Sequence, residues 1–346
     1  DLLNQLQDNM SGTNSTVDST CSSTSSRLSS SRTALSSSNG NSCVGCEMTP
    51  AQSSKVLAKV AEALRNQGML NSSNLLDLMP KIVELVQKNL KEADLDQNGD
   101  QIIQVVEGML GTLISKMNGK EAFMSPSSAE PGLTVQTTLL KQITSTSISN
   151  LGEAFETKHS SGRSNSKNHD RSASALAKDA GSLIGAIVGS MGSTGMNVED
   201  LSSTMKEVTG AAVASLENVD GMDSANLGDA LQEITSEATA AISQAIEDVK
   251  ENSSSSVSSD LISSLVSSAT SGATEKIGEI DIPGFTSDDL SSMVENVTKG
   301  ATSGLGKMAA STDENIELSS LVSEISSSAT ESLDQIEMLG FDSEDL

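Results

Sequence analysis

Apolar side chains recur every three or four positions through most of the chain, and no convincing alternation of apolar and polar positions occurs. A spacing of three to four places the apolar residues on one face of an α-helix. Residues 49–118, 133–156 and 176–346 carry this pattern. The sequence therefore predicts an all-α fold, built from tandem helical bundles or helical hairpin repeats that are joined by Ser-rich linkers.

The same pattern divides the chain into predicted regions. Residues 49–118 are predicted to form a helical unit, with a capping box at Thr49 marking its start and Gly68 ending its first helix. Residues 119–175 are predicted to be a linker with one helix inside it. Residues 176–346 are predicted to be a helical repeat region.

Residues 1–48 are rich in Ser and Thr and hold all three cysteines, Cys21, Cys43 and Cys46. Such a segment buries too little apolar surface to offset chain entropy, so we predict that it is disordered. The C-x-x-C at Cys43 and Cys46 lacks the second half of a zinc site and the βαβ context of a redox motif. We therefore expect two of the three cysteines to form a disulfide, which leaves one thiol for a bond to another chain.

A short signature recurs at the predicted helix junctions. Its strict copies begin at Gly221, Gly284 and Gly340, which are 63 and 56 residues apart, and looser copies begin at Gly68 and Gly195. Glycine closes one helix, Met or Phe packs as a staple, and Asp, Thr or Ser caps the next helix. The spacing predicts two helices per repeat. Because the last copy ends the sequence where a new helix should begin, we expect a longer repetitive protein around this chain.

Composition narrows the function. The chain has no Trp, no Tyr and four Phe, so its core must be built from Leu, Ile, Val, Met and Ala. A net charge of −26 disfavours nucleic acid and favours solubility with repulsion between chains. No apolar run is long enough to predict a membrane span.

Sequence motifs of enzymes are nearly absent. Both histidines, His159 and His169, fall in the predicted linker, away from any nucleophile signature. There is no phosphate-binding loop, dinucleotide fingerprint or nucleophile elbow. We therefore predict a protein that is not an enzyme and has no small-molecule substrate.

One local motif resembles an EF-hand calcium loop. Residues 96–107 have helical patterns on both sides and supply acceptors at calcium-ligand spacing. The candidate ligands are Asp96, Asn98, Asp100, Ile102 through its carbonyl, Gln104 and Glu107. Gln101 stands where the sharp turn of an EF-hand needs glycine. The alternative is a plain helix–turn–helix, in which the turn only caps the next helix. Calcium is the single cofactor that the sequence suggests.

Residues 63–75, which read ALRNQGMLNSSNL, resemble the helix junctions in the repeat units of spider silk proteins, especially aciniform-type spidroins. The Ser-rich tracts between helical units also look alike. Residues 284–293 are similar to a helix start in the acidic N-terminal domain of spidroins. The resemblance implies a secreted structural protein that is stored soluble at high concentration, with helical units that are converted or linked into fibre.

These observations predict a serine-rich, acidic structural protein that forms an extracellular, silk-like fibre or matrix. Its partner would be its own copies. Acidification or cations would reduce the repulsion between chains and start assembly, and the cysteines could then link neighbours. The alternative function is a calcium-binding module whose assembly depends on the cation.

Overall fold

The computed structural model describes seven separate stretches of the chain: residues 135–159, 166–194, 196–219, 222–252, 259–280, 286–311 and 317–333. Each stretch holds one α-helix: α1 Val135–His159, α2 Ser166–Met191, α3 Val198–Ser215, α4 Ser224–Asn252, α5 Ser259–Ile277, α6 Ser287–Ser311 and α7 Leu318–Leu333. Short 3₁₀ turns at Gly192–Thr194 and Leu216–Asn218 extend α2 and α3. These stretches contain no strand, which confirms the predicted all-α class.

The helices form two layers. Each helix packs most extensively against the helix two positions along the chain, so α1, α3, α5 and α7 make one layer and α2, α4 and α6 make the other. Consecutive helices meet across the layers over smaller areas. The unit of this architecture is a hairpin of two helices, one in each layer, as the spacing of the junction signature predicts.

Neighbours within a layer run parallel. Gly181 of α2 lies against Glu233 of α4, and Gly185 lies against Glu237, so the contacts advance in the same direction along both helices. Helices α3 and α5 are also parallel, because Ser202 lies against Ser264 and Gly210 lies against Gly272. The chain must therefore run back along the array between the end of α3 and the start of α5. The 29 residues of α4 span about 43 Å and provide that return.

One continuous hydrophobic core lies between the layers, and in the described stretches it consists of Leu, Ile, Val, Met and Ala alone. The largest side chains that are fully buried are Leu139, Ile143, Ile148, Leu183, Ile184, Ile187, Met191 and Leu201. The polar side chains buried in the described stretches are all Ser or Thr. A core without aromatic side chains matches the expectation from composition.

The array begins earlier than the sequence pattern indicates. The helix predicted over 133–156 is α1, which packs against α2 and α3 and is therefore part of the array. Helix α2 begins at Ser166, before the predicted boundary at 175. The interval 119–175, predicted as a linker with one helix, thus holds one helix of the array and the start of another. Apolar periodicity cannot reveal a helix start that is made of polar residues, as Ser166–Arg171 is.

Candidate assembly interface

The repeated junctions begin their helices with side-chain caps. The Oδ1 atom of Asp223 accepts a hydrogen bond of 2.8 Å from the backbone N–H of Asn226 at the start of α4. At the start of α6, the Oγ1 atom of Thr286 accepts from the N–H of Asp289 at 3.2 Å, and Asp289 Oδ2 accepts from the N–H of Thr286 at 3.0 Å. This reciprocal pair is a capping box. The predicted roles of Asp and Thr as caps are confirmed at these two junctions.

The neighbouring junction also affects the pKa of Asp289. Its pKa is lowered chiefly by the hydrogen bond from the Thr286 hydroxyl, which is 2.6 Å long, and secondly by the hydroxyl of Ser224 at the start of α4. Hydrogen bonds that are donated to a carboxylate favour its charged form. Two junctions of successive hairpins therefore lie side by side and share one carboxylate.

Within the layer of α2, α4 and α6, glycines let backbones approach closely. A Cβ atom at Gly181 would lie 2.9 Å from the backbone oxygen of Glu233. Cβ atoms at Gly300 and Gly304 of α6 would collide with backbone oxygens of α4, those of Gln232 and Ser236. Only glycine fits where a backbone approaches this closely. The surfaces that α2 and α6 present to α4 are therefore built on glycines that let the backbones approach.

Within the layer of α1, α3, α5 and α7, hydroxyl pairs join neighbouring helices. The side-chain oxygens of Ser202 and Ser264 are 2.8 Å apart, and those of Ser267 and Ser328 are 2.6 Å apart. Three more pairs join helices of this layer: Thr137–Thr204, Ser145–Ser215 and Ser271–Ser332. Serine and threonine here serve as contact residues between helices, whereas composition alone suggests solvated or linker positions for them.

Lys–Glu pairs also connect neighbouring helices of a layer. Such pairs include Lys141–Glu207 at 2.7 Å, Lys206–Glu275 at 2.6 Å and Lys307–Glu237 at 2.8 Å. Each pair is partly exposed, so its contribution to stability is small. The pairs do place opposite charges at matching heights, which favours one register between neighbours.

The described stretches offer no cluster of side chains that could bind a metal ion. No group of three or more His, Cys, Asp or Glu side chains in them could hold a metal ion. Their helices are also too polar or too short for a span across a membrane. The hydroxyl pairs, glycine surfaces and ion pairs described above all join one helix to another.

The site residues predicted from sequence lie outside the described stretches. They are the calcium-loop residues Asp96, Asn98, Asp100, Ile102, Gln104 and Glu107, together with Cys21, Cys43 and Cys46. Calcium binding and disulfide formation therefore stay predictions. The third strict junction copy, from Gly340, also lies outside the described stretches.

Sequence reasoning missed the contact residues of the layers. A signal was present, because Gly181, Gly185 and Gly189 are spaced by four, as are Gly300 and Gly304. Glycines at this spacing share one helix face. Serine and threonine gave no comparable signal, because they are common throughout the chain.

No protein-family model matches the chain, and no curated protein matches it. Among solved structures, a chain from "Computational Design of Self-Assembling Cyclic Protein Homooligomers" aligns with a TM-score of 0.33 and 12% sequence identity. The alignment covers 82% of this chain and 98% of that chain. A TM-score and an identity this low carry no argument about the function of the chain described here.

Proposed function

We propose that the chain is a non-catalytic structural protein, a silk-like building block of an extracellular fibre or matrix that assembles with its own copies. The observation that carries the proposal is the repetition of helix-to-helix contacts along each of the two layers. Repeat arrays of this kind bury surface between neighbours and extend in one direction. The polar side chains that the described stretches bury, all Ser or Thr, lie in this packing.

In this proposal, the net charge of the chain controls assembly. A chain with a net charge of −26 repels its copies at neutral pH. Protonation of carboxylates or binding of cations reduces this repulsion. The lowered pKa of Asp289 places its protonation below the ordinary range for aspartate, so this group stays charged under mild acidification.

The test is the molar mass of the unreduced chain by light scattering, as the pH falls from about 7 to about 5.5 with and without calcium. Growth into large species at the lower pH is the expected result. A reduced sample run in parallel separates non-covalent assembly from disulfide linkage through Cys21, Cys43 or Cys46. A chain that stays monomeric in every arm would contradict the proposal.

The EF-hand-like spacing of residues 96–107 favours a second candidate, a calcium-binding module whose assembly depends on the cation. Glu107 would be the bidentate ligand of this loop. Calorimetric titration of calcium into the parent chain and into Glu107→Gln tests it. The candidate function requires heat of binding in the parent and its loss in the variant, and a parent without heat of binding rules it out.

A further inference from the structure

Helix α2 reaches past α4 at one end of the array. Gly185 of α2 lies against Glu237 of α4, an offset of 52 residues, so Ser224 at the start of α4 is level with Ser172 of α2. Helix α2 begins six residues before that level, at Ser166, which places its start about 9 Å beyond the start of α4.

Helix α1 reaches past α3 at the same end. A Cβ atom at Gly152 would collide with the side chain of Val219, which directly follows the 3₁₀ turn that extends α3. Helix α1 continues for seven residues beyond Gly152, to His159, and so extends about 10 Å further. The end of α1 and the start of α2 therefore project together, and we call Lys158, His159 and residues 166–171 the basic tip.

The basic tip is positive in a strongly negative chain. Residues 158–171 hold four basic residues and one acidic residue, whereas the whole chain has a net charge of −26. The four are Lys158, Arg163, Lys167 and Arg171, the acid is Asp170, and Glu153 and Glu156 precede the tip on α1. Both histidines of the chain, His159 and His169, lie in the tip, and protonation of a histidine adds a positive charge. The charge of the tip therefore suits an acidic partner.

At the opposite end of the array, helix α4 reaches past both of its neighbours. Gly192, directly after α2, lies against Ala245, and Ser311, the last residue of α6, bonds to Ser243. Helix α4 continues for seven residues beyond Ala245, to Asn252, which adds about 10 Å. We call this projection, residues 246–252, the acidic foot. Its charged residues are Glu247, Asp248, Lys250 and Glu251, of which both glutamates are exposed.

Both projections carry charges that oppose the dipole of their own helix. A helix has a partial positive charge at its N-terminus and a partial negative charge at its C-terminus. Lys167 lies in the first turn of α2, where α3, α5 and α6 place acidic residues. Glu247 and Glu251 lie in the last two turns of α4. Each placement is unfavourable within one chain, and contact between the tip and the foot offsets both.

We propose that copies of this chain dock end to end, with the acidic foot of one copy against the basic tip of the next. The inference rests on the proposed function and names its contact. The lengths match, because the foot extends about 10 Å and the start of α4 lies about 9 Å short of the start of α2. The contact joins unlike surfaces, so it repeats without closing, which suits a fibre.

The positions of the tip and the foot select a second copy as the partner. The two surfaces lie at opposite ends of the array, and α4 alone spans about 43 Å between those ends. They therefore cannot meet within one copy, although one chain carries both halves of the contact. Further hairpins of the same polypeptide would extend the layers sideways, at right angles to this contact.

The test is sedimentation velocity of the full chain over a range of concentrations, with the cysteines reduced, under conditions in which the parent associates. The tip variant combines Lys167→Glu and Arg171→Glu, and the foot variant combines Glu247→Lys and Glu251→Lys. A swap variant carries all four changes. Each new charge agrees with the dipole of its helix, so unchanged helical circular dichroism is expected.

A matched control combines Lys178→Glu and Lys299→Glu, at exposed positions inside α2 and α6. It has the same net charge as the tip variant. We expect the tip and foot variants each to need at least about tenfold higher concentration for half association, and the control to differ from the parent by less than about twofold. The foot variant is less negative than the parent, so net repulsion alone would make it associate more readily.

The swap variant tests whether the tip meets the foot of another copy. Its tip is negative and its foot is positive, so we expect half association within about threefold of the parent. A swap variant as weak as the tip variant would overturn the pairing of these two surfaces. Association of the tip or foot variant at parental concentrations would overturn it too, while leaving the proposed function intact. A parent that stays monomeric would contradict both proposals.

Discussion

Two hairpins of this array, α4–α5 and α6–α7, have related sequences and very different surroundings. Thr239 and Thr302 are equivalent, but the first is buried under a glycine face and the second meets solvent. Val266 and Val322, which are 56 residues apart like the junction copies at Gly284 and Gly340, differ in the same sense, at 0% and 40% exposed. The comparison shows that burial at a given repeat position is decided by the place of the hairpin in the array, because the residue types are alike.

The largest expected effect comes from truncating a buried and an exposed apolar residue of the same layer. Ile262→Ala removes buried methyl groups and leaves a cavity, so we expect it to lower the free energy of unfolding by about 3 kcal/mol. Val322→Ala removes exposed carbon and should cost less than about 0.5 kcal/mol in monomeric protein. Urea unfolding followed by circular dichroism measures both. Equal losses would mean that Val322 is covered in the monomer.

A second pair of variants compares two glycines in one helix. Gly304→Ala drives a Cβ into the backbone of α4 and should destabilise the chain by about 1–3 kcal/mol. Gly306→Ala adds a methyl group to open space and gains helix propensity, so it should stabilise the chain by about 0.5–1 kcal/mol. The same unfolding measurement applies. A stabilising Gly304→Ala would contradict the close approach of α4 and α6.

The smallest effect concerns the junction that joins the two hairpins. Because the folded-state pKa of Asp289 is lowered, its ionised form stabilises the fold above the ordinary value of about 3.9, and this contribution disappears as pH falls through the folded pKa. The parent should therefore be more stable than Asp289→Asn at pH about 6 and lose that advantage at pH about 2. Chemical unfolding at both pH values checks this. A difference independent of pH would contradict the role of the charge.

The fold class and the hairpin unit could be predicted from sequence because both depend on local signals. Apolar spacing shows the helices, and the junction signature shows where they begin, as the caps at Asp223 and Thr286 confirm. These signals act within a few residues and need no knowledge of neighbours.

The contacts between helices could not be predicted in the same way. Ser202 and Ser264 meet because two helices lie parallel at one register, and neither serine differs in its local sequence from the many exposed serines. The start of α2 at Ser166 could not be predicted from sequence, because a polar segment carries no periodic apolar signal. The calcium loop at 96–107 stays a prediction, since it lies outside the described stretches.

The parallel layers have a mechanical consequence. A hairpin of about 60 residues lengthens the stacked array by about 8–10 Å, the distance between packed helices. Pulled straight, the same residues extend to about 200 Å. Each hairpin contacts mainly its neighbours, so an array under tension yields from an end in steps and each step releases a long, compliant segment. In the fibre proposed above, such arrays would absorb work by lengthening before the polypeptide backbone carries the load.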